Sequence, residues 1–277
     1  MERLQNILAH AGVASRRGAA ALIESGVVTV DGIVVKEPGA RFEIGSLGPE
    51  GSDPSLPNDP SGSKDAKNKG PVIRVNGKII TCEETHRTIV LYKPVGVLST
   101  MSDPFGGKTV ADLIYGDAGT VGTARTAGTK IAERLVPIGR LDKDSEGLLL
   151  MSNDGTLVNE LTHPRFNHTK TYLVKVAGRW SAEKLKTLRS PLTLDDGYTI
   201  RPVPVEVVQE WENNTRLLKF VLGEGRKRQI RKMCSAAHLV VLTLKRVKVG
   251  AFELPSELKP GEWRDLTDDE LKQLRIA

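Results

Sequence analysis

The sequence predicts an α+β fold in two parts, and three observations lead to this prediction. The first 44 residues read as helices followed by a hairpin, and residues 86–277 alternate strand-like and helix-like segments. A segment with almost no apolar residues separates these regions. Such alternation is typical of helices packed around a sizeable sheet. Hydrophobic residues make up 39% of the 277 residues, which is enough to bury a core.

The small N-terminal part opens with helical spacing. Leu4, Ile7 and Leu8 recur at the period of a helix that buries one face. Ser15 is a residue type that caps helices, and it predicts a second helix that ends just before Gly26. These signals predict two short helices at the start of a compact α/β module.

Two hairpins follow in the small part. The apolar residues at 27–35 flank Asp31-Gly32, and those at 72–80 flank Asn76-Gly77; both dipeptides favour tight hairpin turns. Between the hairpins, Gly, Pro and Ser supply 14 of the 26 residues at 45–70. Because so few of these residues could pack in a core, we interpret 45–70 as a flexible insert within a domain spanning 1–81.

The larger part spans residues 86–277 and is predicted to contain a sizeable sheet. Residues 116–134, rich in Gly, Thr and Ala, are expected to form a second long loop. The pattern predicts strands at Thr88–Tyr92, Leu135–Arg140, Leu148–Ser152, Thr171–Val176, Val203–Val208, Leu217–Leu222 and Leu239–Val249, and helices at Ser181–Leu188 and Arg228–His238.

Composition limits which compartments and which kinds of partner are expected. The sequence has no run of about 18 apolar residues, so we expect no membrane span. Glu2–Asn6 lacks the apolar stretch of a secretory signal, so none is expected. The two cysteines, Cys82 and Cys234, are isolated, which favours a reducing compartment: the cytoplasm, or an organelle if the source is eukaryotic. The net charge of +6 and the pI near 9.3 hint at a polyanionic partner.

The positive charge is concentrated in one stretch. Between Lys219 and Lys248, nine Lys and Arg residues stand against one acid, Glu224. Its densest portion is Gly223–Met233, where glycines precede a basic helix and would allow close approach to a phosphate. A solvated basic face is the alternative interpretation. Four cations within six residues repel one another without an anionic partner, so RNA or DNA is favoured.

A second segment carries the acids. Gly139-Arg140-Leu141-Asp142-Lys143-Asp144-Ser145-Glu146-Gly147 joins two predicted apolar strands, which can hold a side chain in a set position. A positioned aspartate can act as a nucleophile, a general base or a metal ligand. The spacing does not match a calcium loop, because position 12 of that loop would be Asn153. From the residues alone, a plain acidic turn stays open.

No cofactor or metal is predicted. Gly106-Gly107-Lys108-Thr109 resembles half of a phosphate-binding loop, but Ser102 stands where the first glycine is needed, so nucleoside triphosphate binding is rejected. The five histidines are scattered and no pair of cysteines is spaced as zinc ligands, so no zinc site is expected.

Several motifs, in order, identify a resemblance that covers nearly the whole chain apart from the two loops. The chain resembles bacterial-type ribosomal RNA pseudouridine synthases with an N-terminal alpha-L RNA-binding domain, of a type first noted in a small-subunit ribosomal protein. The motifs are Arg3–Arg17, Val28–Gly32, Lys93–Gly96, Pro137–Leu149, Lys170–Val174, Arg228–Met233 and Gly261–Leu266. The resemblance implies a catalytic domain built on a large mixed, mainly antiparallel sheet.

The resemblance also implies roles for individual residues. Asp142 would be the catalytic aspartate, Tyr172 would pack on the target base, and Arg231 would be the basic partner of the aspartate. Arg140 would hold the RNA around the flipped nucleotide. The remaining RNA contacts are expected at Arg16, Arg17, Lys93, Arg226, Lys227 and Arg228.

The implied reaction isomerises uridine, so nothing is oxidised and no group is supplied from outside. Asp142 could attack the sugar or withdraw a sugar proton, and the sequence leaves both routes open. The substrate would be ribosomal RNA, with Gly261–Leu266 favouring the large subunit, and the enzyme is expected to act as a monomer. The alternatives are a ribosome-assembly factor without activity and a glycosylase that releases free base.

Overall fold

The computed structural model describes residues 1–42, 71–80, 86–116, 131, 133–166, 168–193 and 197–275. The chain divides into two compact units, Met1–His86 and Arg87–Ala277. Both units mix helices and strands, which confirms the α+β prediction. The predicted insert at 45–70 lies outside the described residues, and so does most of the predicted loop at 116–134.

The first unit forms the two predicted helices and the two predicted hairpins. Ser15 accepts a hydrogen bond from the amide of Gly18 and caps the second helix, as predicted. Both hairpins turn through a pair of residues with positive φ, which Asp-Gly and Asn-Gly adopt readily. The elements are β1 (Glu2–Arg3), α1 (Leu4–His10), α2 (Arg16–Glu24), β2 (Val28–Val30), β3 (Ile33–Val34), β4 (Arg41–Phe42), β5 (Ile73–Val75) and β6 (Lys78–Ile79).

The apolar helix faces and one face of the strands share a core in this unit. Leu4, Ile7, Leu8 and Ile23 are buried there with alternate residues of the strands. The strand order β3-β2-β5-β6 joins the hairpins by pairing their inner strands, β2 with β5. The apolar residues that follow the helical period and those that follow the strand period therefore pack in the same core.

The second unit is organised around a nine-stranded sheet. Its strands are β7 (Thr88–Lys93), β8 (Val136–Ile138), β9 (Glu146–Ser152), β10 (Lys170–Ala177), β13 (Val205–Trp211), β14 (Thr215–Leu222), β15 (Val240–Val249), β16 (Phe252–Glu253) and β17 (Trp263–Asp265). β11 (Leu192–Thr193) and β12 (Thr199–Ile200) form a separate pair. The helices are α3 (Val110–Tyr115), α4 (Gly155–Thr162), α5 (Ala182–Arg189), α6 (Gln229–Ala236) and α7 (Asp268–Arg275).

The main strand order is β13-β14-β10-β15-β9-β7-β17, with β16 on β15 and β8 on β9. Among the described strands, only β9 and β15 pair in parallel, so the sheet is mixed and mainly antiparallel, as expected. The start of β9 pairs with β15 and its end with β8. The segment that connects β8 to β9 therefore lies where the partner of β9 changes.

Three apolar clusters cover this sheet. β7 and the end of β9 are buried along almost their whole length, which explains their continuous apolar runs. One cluster lies between α5, α6 and the strands β10 and β14, and it includes Tyr172 and Leu141. The acidic segment thus begins at the edge of a packed core. None of the helices that the structure describes is long and apolar enough to cross a membrane.

Candidate active site

Asp142 lies in the short connection from β8 to β9. The connection closes as a turn in which the amide of Ser145 donates to the carbonyl oxygen of Asp142 at 3.1 Å. The Asp142 side chain is 37% exposed, so it is open to a substrate. The predicted loop ended at Gly147, but Glu146 and Gly147 already belong to β9 because they pair with β15. The turn is therefore shorter, and held more closely, than the sequence suggested.

The buried side chain of Lys93 supports this turn through hydrogen bonds to the backbone. Its ammonium group donates to the carbonyl oxygens of Ser145 at 2.7 Å and Pro94 at 3.0 Å, and its side chain is completely buried. Burial lowers the pKa of Lys93 to about 8, although the negative charges of Asp142 and Asp144 act in the opposite direction. The structure corrects the expectation that Lys93 contacts RNA: a side chain with no exposed surface cannot reach a phosphate.

A second set of hydrogen bonds fixes the residues on either side of Asp142. The hydroxyl of Ser99 accepts from the amide of Leu141 at 3.1 Å and donates to the Leu141 carbonyl oxygen at 2.8 Å. The amide of Gly96 donates to the carbonyl oxygen of Lys143 at 2.7 Å. Both neighbours of Asp142 are thus tied to the segment after β7, which restricts the motion of its carboxylate.

Two arginines approach the turn from the helix α6. Arg228 donates to both carboxylate oxygens of Asp144 at 3.0 and 3.1 Å, and its guanidinium lies 3.9 Å from the carboxylate of Asp142. Arg231 donates to the carbonyl oxygen of Asp144 at 2.7 Å and lies within 3.4 Å of its carboxylate. No ion pair joins Arg231 to Asp142 in the described chain, so the predicted pair is not formed, and Arg228 takes that place.

The electrostatics follow from this arrangement. Burial alone would raise the pKa of Asp144, but the hydrogen bonds from Arg228 and the charges of Arg231 and Arg228 outweigh it and lower that pKa. Asp144 also raises the pKa of Arg228 through its hydrogen bonds. Asp144 therefore binds both arginines, and the side chain of Asp142 stays partly exposed.

Asp142 lines a cleft of about 660 Å³. Tyr172 on β10 lines the cleft and is only 9% exposed, so it forms part of the wall. Arg140 is exposed and also lines the cleft. The structure thus brings three of the predicted residues, Asp142, Tyr172 and Arg140, to one concave site, whereas Arg231 does not line it.

The basic segment forms a rim of this cleft. Arg226, Lys227 and Arg228 are exposed and line it. Arg228 caps α6 with a positive φ of 55°, and the guanidinium of Arg226 lies 3.2 Å from the ring centroid of Tyr198. These cations give this part of the cleft a positive charge, which suits an anionic ligand.

Arg16 and Arg17 belong to the first unit. They are the first two residues of α2, and both side chains are exposed. Their position at a helix start is the predicted one.

Ser99 and Arg246 were not among the predicted site residues. Arg246 on β15 is 3% exposed, and its Nε donates to the carbonyl oxygen of Leu148 at 2.8 Å. Neither residue lies in a segment with a recognisable spacing, and their contacts join positions far apart in the sequence. Leu239–Val249 contains three basic residues, Lys245, Arg246 and Lys248, so its sequence could not single out Arg246 as the buried one.

The comparisons with known proteins first define a class. The model of the S4 domain matches residues 2–46, and the model described as RNA pseudouridylate synthase matches residues 87–236. A crystal structure of pseudouridylate synthase has the same fold, with a TM-score of 0.60 at 23% identity over 99% of this chain and 100% of that one. The chain therefore combines an S4 domain with a catalytic domain that modifies RNA.

Full-length relatives narrow the class. The chain is 37% identical to ribosomal large subunit pseudouridine synthase B of Bacillus subtilis, over 99% of this chain and 96% of that protein. It is 34% identical to an uncharacterised RNA pseudouridine synthase of Aquifex aeolicus, over 98% and 93%. The chain belongs to the RNA pseudouridine synthase family and is an isomerase, which confirms the resemblance read from its motifs.

Proposed function

We propose that this enzyme converts a specific uridine of ribosomal RNA to pseudouridine, with Asp142 as the catalytic residue. The observation that carries the proposal is the position of Asp142, held by backbone hydrogen bonds on both sides and open to a cleft with a basic rim. The name of the Bacillus subtilis relative, which the chain matches over nearly its whole length, favours large-subunit RNA.

The reaction needs no group that the chain lacks. The bond from the ribose to a ring nitrogen of uracil breaks, the base turns, and a bond forms from the ribose to a ring carbon. That carbon loses its proton, and the released ring nitrogen takes one up. Substrate and product are isomers, so electrons and atoms balance without a cofactor. The carboxylate of Asp142 either attacks the sugar carbon or takes a proton from the sugar, and both routes start from the ionised aspartate.

Tyr172 is proposed to hold the base. A uridine must leave its stack to enter the cleft, which costs a few kcal/mol. An aromatic ring that packs on the extruded base recovers roughly 1–3 kcal/mol. Tyr172 is suited to this role because its ring is fixed in the core while one part faces the cleft. Arg140 would then contact the RNA at the mouth of the same cleft.

The basic rim and the first unit are proposed to bind the surrounding RNA. Arg226, Lys227 and Arg228 would neutralise phosphates beside the target, and such contacts weaken as salt rises. Arg16 and Arg17 on α2 would add a second contact with folded RNA. The enzyme would act as a monomer in the cytoplasm, where ribosomal RNA is its substrate.

The direct test uses ribosomal RNA labelled with tritium at the ring carbon that forms the new bond, because each turnover releases that tritium. We expect Asp142→Asn to lower the rate by more than about 100-fold, the typical range for a lost acid or base. Its affinity for RNA should stay near that of the unchanged enzyme. Full activity in Asp142→Asn would exclude the assignment.

The same assay separates the alternatives. Asp144→Asn is the matched control, two residues along the same turn, and it should keep measurable activity. A glycosylase would release free uracil, which chromatography of the product detects. An assembly factor would bind the RNA but release no tritium at all. Sequencing pseudouridines in RNA from cells with and without the gene then identifies the target uridine.

A further inference from the structure

A second cavity of about 220 Å³ lies beside the cleft and shares four of its lining residues, Gly139, Arg140, Tyr172 and Gly225. A Cβ atom built on Gly139 or Gly225 would meet no atom within 4 Å, so both glycines border open space. We call this space the Lys170–Arg246 cavity, after the two cations that line it together with Arg140.

The charge of the cavity is not balanced by its own walls. No carboxylate lines it, and its other side chains are mainly apolar. Arg246 is 3% exposed, and only its Nε has a partner among the described residues, the Leu148 carbonyl oxygen. The remaining nitrogens of that guanidinium, with up to four hydrogens to donate, have no acceptor there. A guanidinium whose remaining donors have no protein acceptor can take an anionic ligand that supplies the acceptors.

Lys170 adds a second charge to the same space. It precedes Tyr172 by two residues on β10, so both side chains project from the same face of the sheet. Its ammonium group donates to the carbonyl oxygen of His168 at 2.9 Å, which leaves further hydrogens available. Burial lowers the pKa of Lys170, and the charge of Arg246 lowers it further. An anion between the two would remove this repulsion.

We propose that the Lys170–Arg246 cavity binds one phosphodiester group of the RNA, close in the strand to the uridine whose base packs on Tyr172. The inference rests on the proposed function, because that function places the target base at Tyr172. An RNA strand in the cleft passes Gly139 and Gly225, where the lack of side chains leaves room for its backbone. The apolar walls strengthen the attraction between the phosphate and the two cations.

The role is one of positioning. A phosphate fixed on one side of Tyr172 limits where the ribose of the target nucleotide lies, and so sets its distance to Asp142. Arg246 donates to the backbone of β9, the strand that follows the Asp142 turn. The bound phosphate and the Asp142 carboxylate are thus connected through one strand, β9. The contact with the phosphate would therefore set the distance from the ribose to Asp142 rather than only increase the affinity for RNA.

The test is a double-mutant cycle that combines variants of the protein with chemically modified RNAs. The RNA is a synthetic stem-loop of large-subunit ribosomal RNA that contains the mapped uridine, made as a series in which one phosphodiester at a time is a neutral methylphosphonate. The protein variants are Lys170→Gln and its control Lys175→Gln, a lysine of the same strand whose side chain lies on the opposite face, over Trp211. Equilibrium binding is measured in the Asp142→Asn background.

We expect one methylphosphonate position near the uridine to weaken binding by roughly tenfold or more, as for a lost hydrogen bond to a charged group. In Lys170→Gln the same replacement should have a clearly smaller effect, because only Arg246 then contacts the phosphate, and the slope of log Kd against log salt should fall by about one. Lys175→Gln should keep both the effect and the slope. Fully additive losses in Lys170→Gln, or no sensitive position at all, would overturn the proposal.

Arg246→Lys provides a second variant that keeps the charge but loses the planar donor set. It should fold, as checked by circular dichroism, and show a smaller effect of the same methylphosphonate. If its effect is unchanged, Arg246 does not contact the phosphate. Failure of the proposed function is recognised separately, because the unmodified stem-loop would then release no tritium with the unchanged enzyme, or Asp142→Asn would stay active.

Discussion

The ammonium group of Lys93 donates a 2.7 Å hydrogen bond to the carbonyl oxygen of Ser145, three residues after Asp142. A cation without exposed surface thus lies directly beneath an acidic turn. The turn supplies carbonyl oxygens and negative charge, and the lysine supplies donors. Each feature would be costly for the fold without the other.

This contact predicts a pH dependence of stability. The pKa of Lys93 is about 8 in the folded protein and near its usual 10.5 when unfolded. The unfolded chain therefore binds more protons between these values, so Lys93 makes the protein more stable as pH rises from 8 towards 10.5, and this gain is absent below pH 8. We expect a gain of roughly 1–3 kcal/mol relative to Lys93→Met.

The measurement is urea unfolding of both proteins from pH 7 to 9.5. Taking the difference between them is necessary because the pKa of Tyr92 is raised to about 12, and its titration acts in the opposite direction. Lys175→Met, a lysine that is not completely buried, is the control and should follow the unchanged protein. If the difference in unfolding free energy between the two proteins stays constant across this range, the pKa of Lys93 is not lowered in the folded protein.

Tyr172 should act through its ring. Tyr172→Phe keeps the ring and should retain most of the activity, whereas Tyr172→Ala should lose roughly 5- to 150-fold, the equivalent of about 1–3 kcal/mol of base stacking. Tritium release at saturating RNA measures the loss. Because Tyr172 is buried, the melting temperature of Tyr172→Ala must be checked first. Equal losses in both variants would point to the hydroxyl instead.

Asp144 should support the turn rather than the chemistry. Asp144→Asn weakens the hydrogen bonds from Arg228, so the turn loses one of its fixed points, and we expect kcat to fall by about tenfold with little change in KM. Lys227→Gln is the contrasting variant, because Lys227 is exposed at the rim. Its KM should rise and become less sensitive to salt, with kcat preserved.

Gly147 should tolerate no side chain. Its φ is +105°, and a Cβ atom there would clash with the carbonyl oxygen of Arg246 and lie 2.8 Å from its amide nitrogen. Gly147→Ala should destabilise the protein by more than about 4 kcal/mol, because backbone atoms of two paired strands must separate. Chemical unfolding measures this change.

The control for Gly147 is Gly106. It also has a positive φ, +74°, but a Cβ atom there has no neighbour within 4 Å. Gly106→Ala should therefore cost only the conformational strain, about 1–2 kcal/mol. Similar losses at both positions would show that the clash with β15 contributes nothing.

Local patterns predicted most of the elements. The capping serine at Ser15, the two hairpin turns and the strands around Asp142 all depend on residues close in sequence, so period and turn chemistry were sufficient. The helices α3, α4 and α7 were missed. α3 follows Gly106–Thr109, where Thr109 accepts from the amide of Asp112 and caps the helix, so the half-motif for a phosphate loop is a turn and a helix cap.

The contacts of the proposed site residues were harder to predict than their place in one cleft. Asp142, Tyr172 and Arg140 were proposed through the resemblance, and the fold brings them together. Arg231 and Arg228 are three residues apart on one helix start, and only the register of α6 against the turn decides which reaches Asp142. Lys93 looked like a surface cation because composition cannot show that the strand's last residue is covered.

The parallel pairing of β9 with β15 has a consequence for how the enzyme folds during its synthesis. Leu148 and Arg246 are 98 positions apart, and their contact completes the strand that follows Asp142. Long-range pairings of this kind form late, because a long loop must close first. While the ribosome is still adding residues before β15, β9 lacks its parallel partner and Leu148 lacks its contact with Arg246. We therefore expect the nascent chain to become active only after β15 has been synthesised.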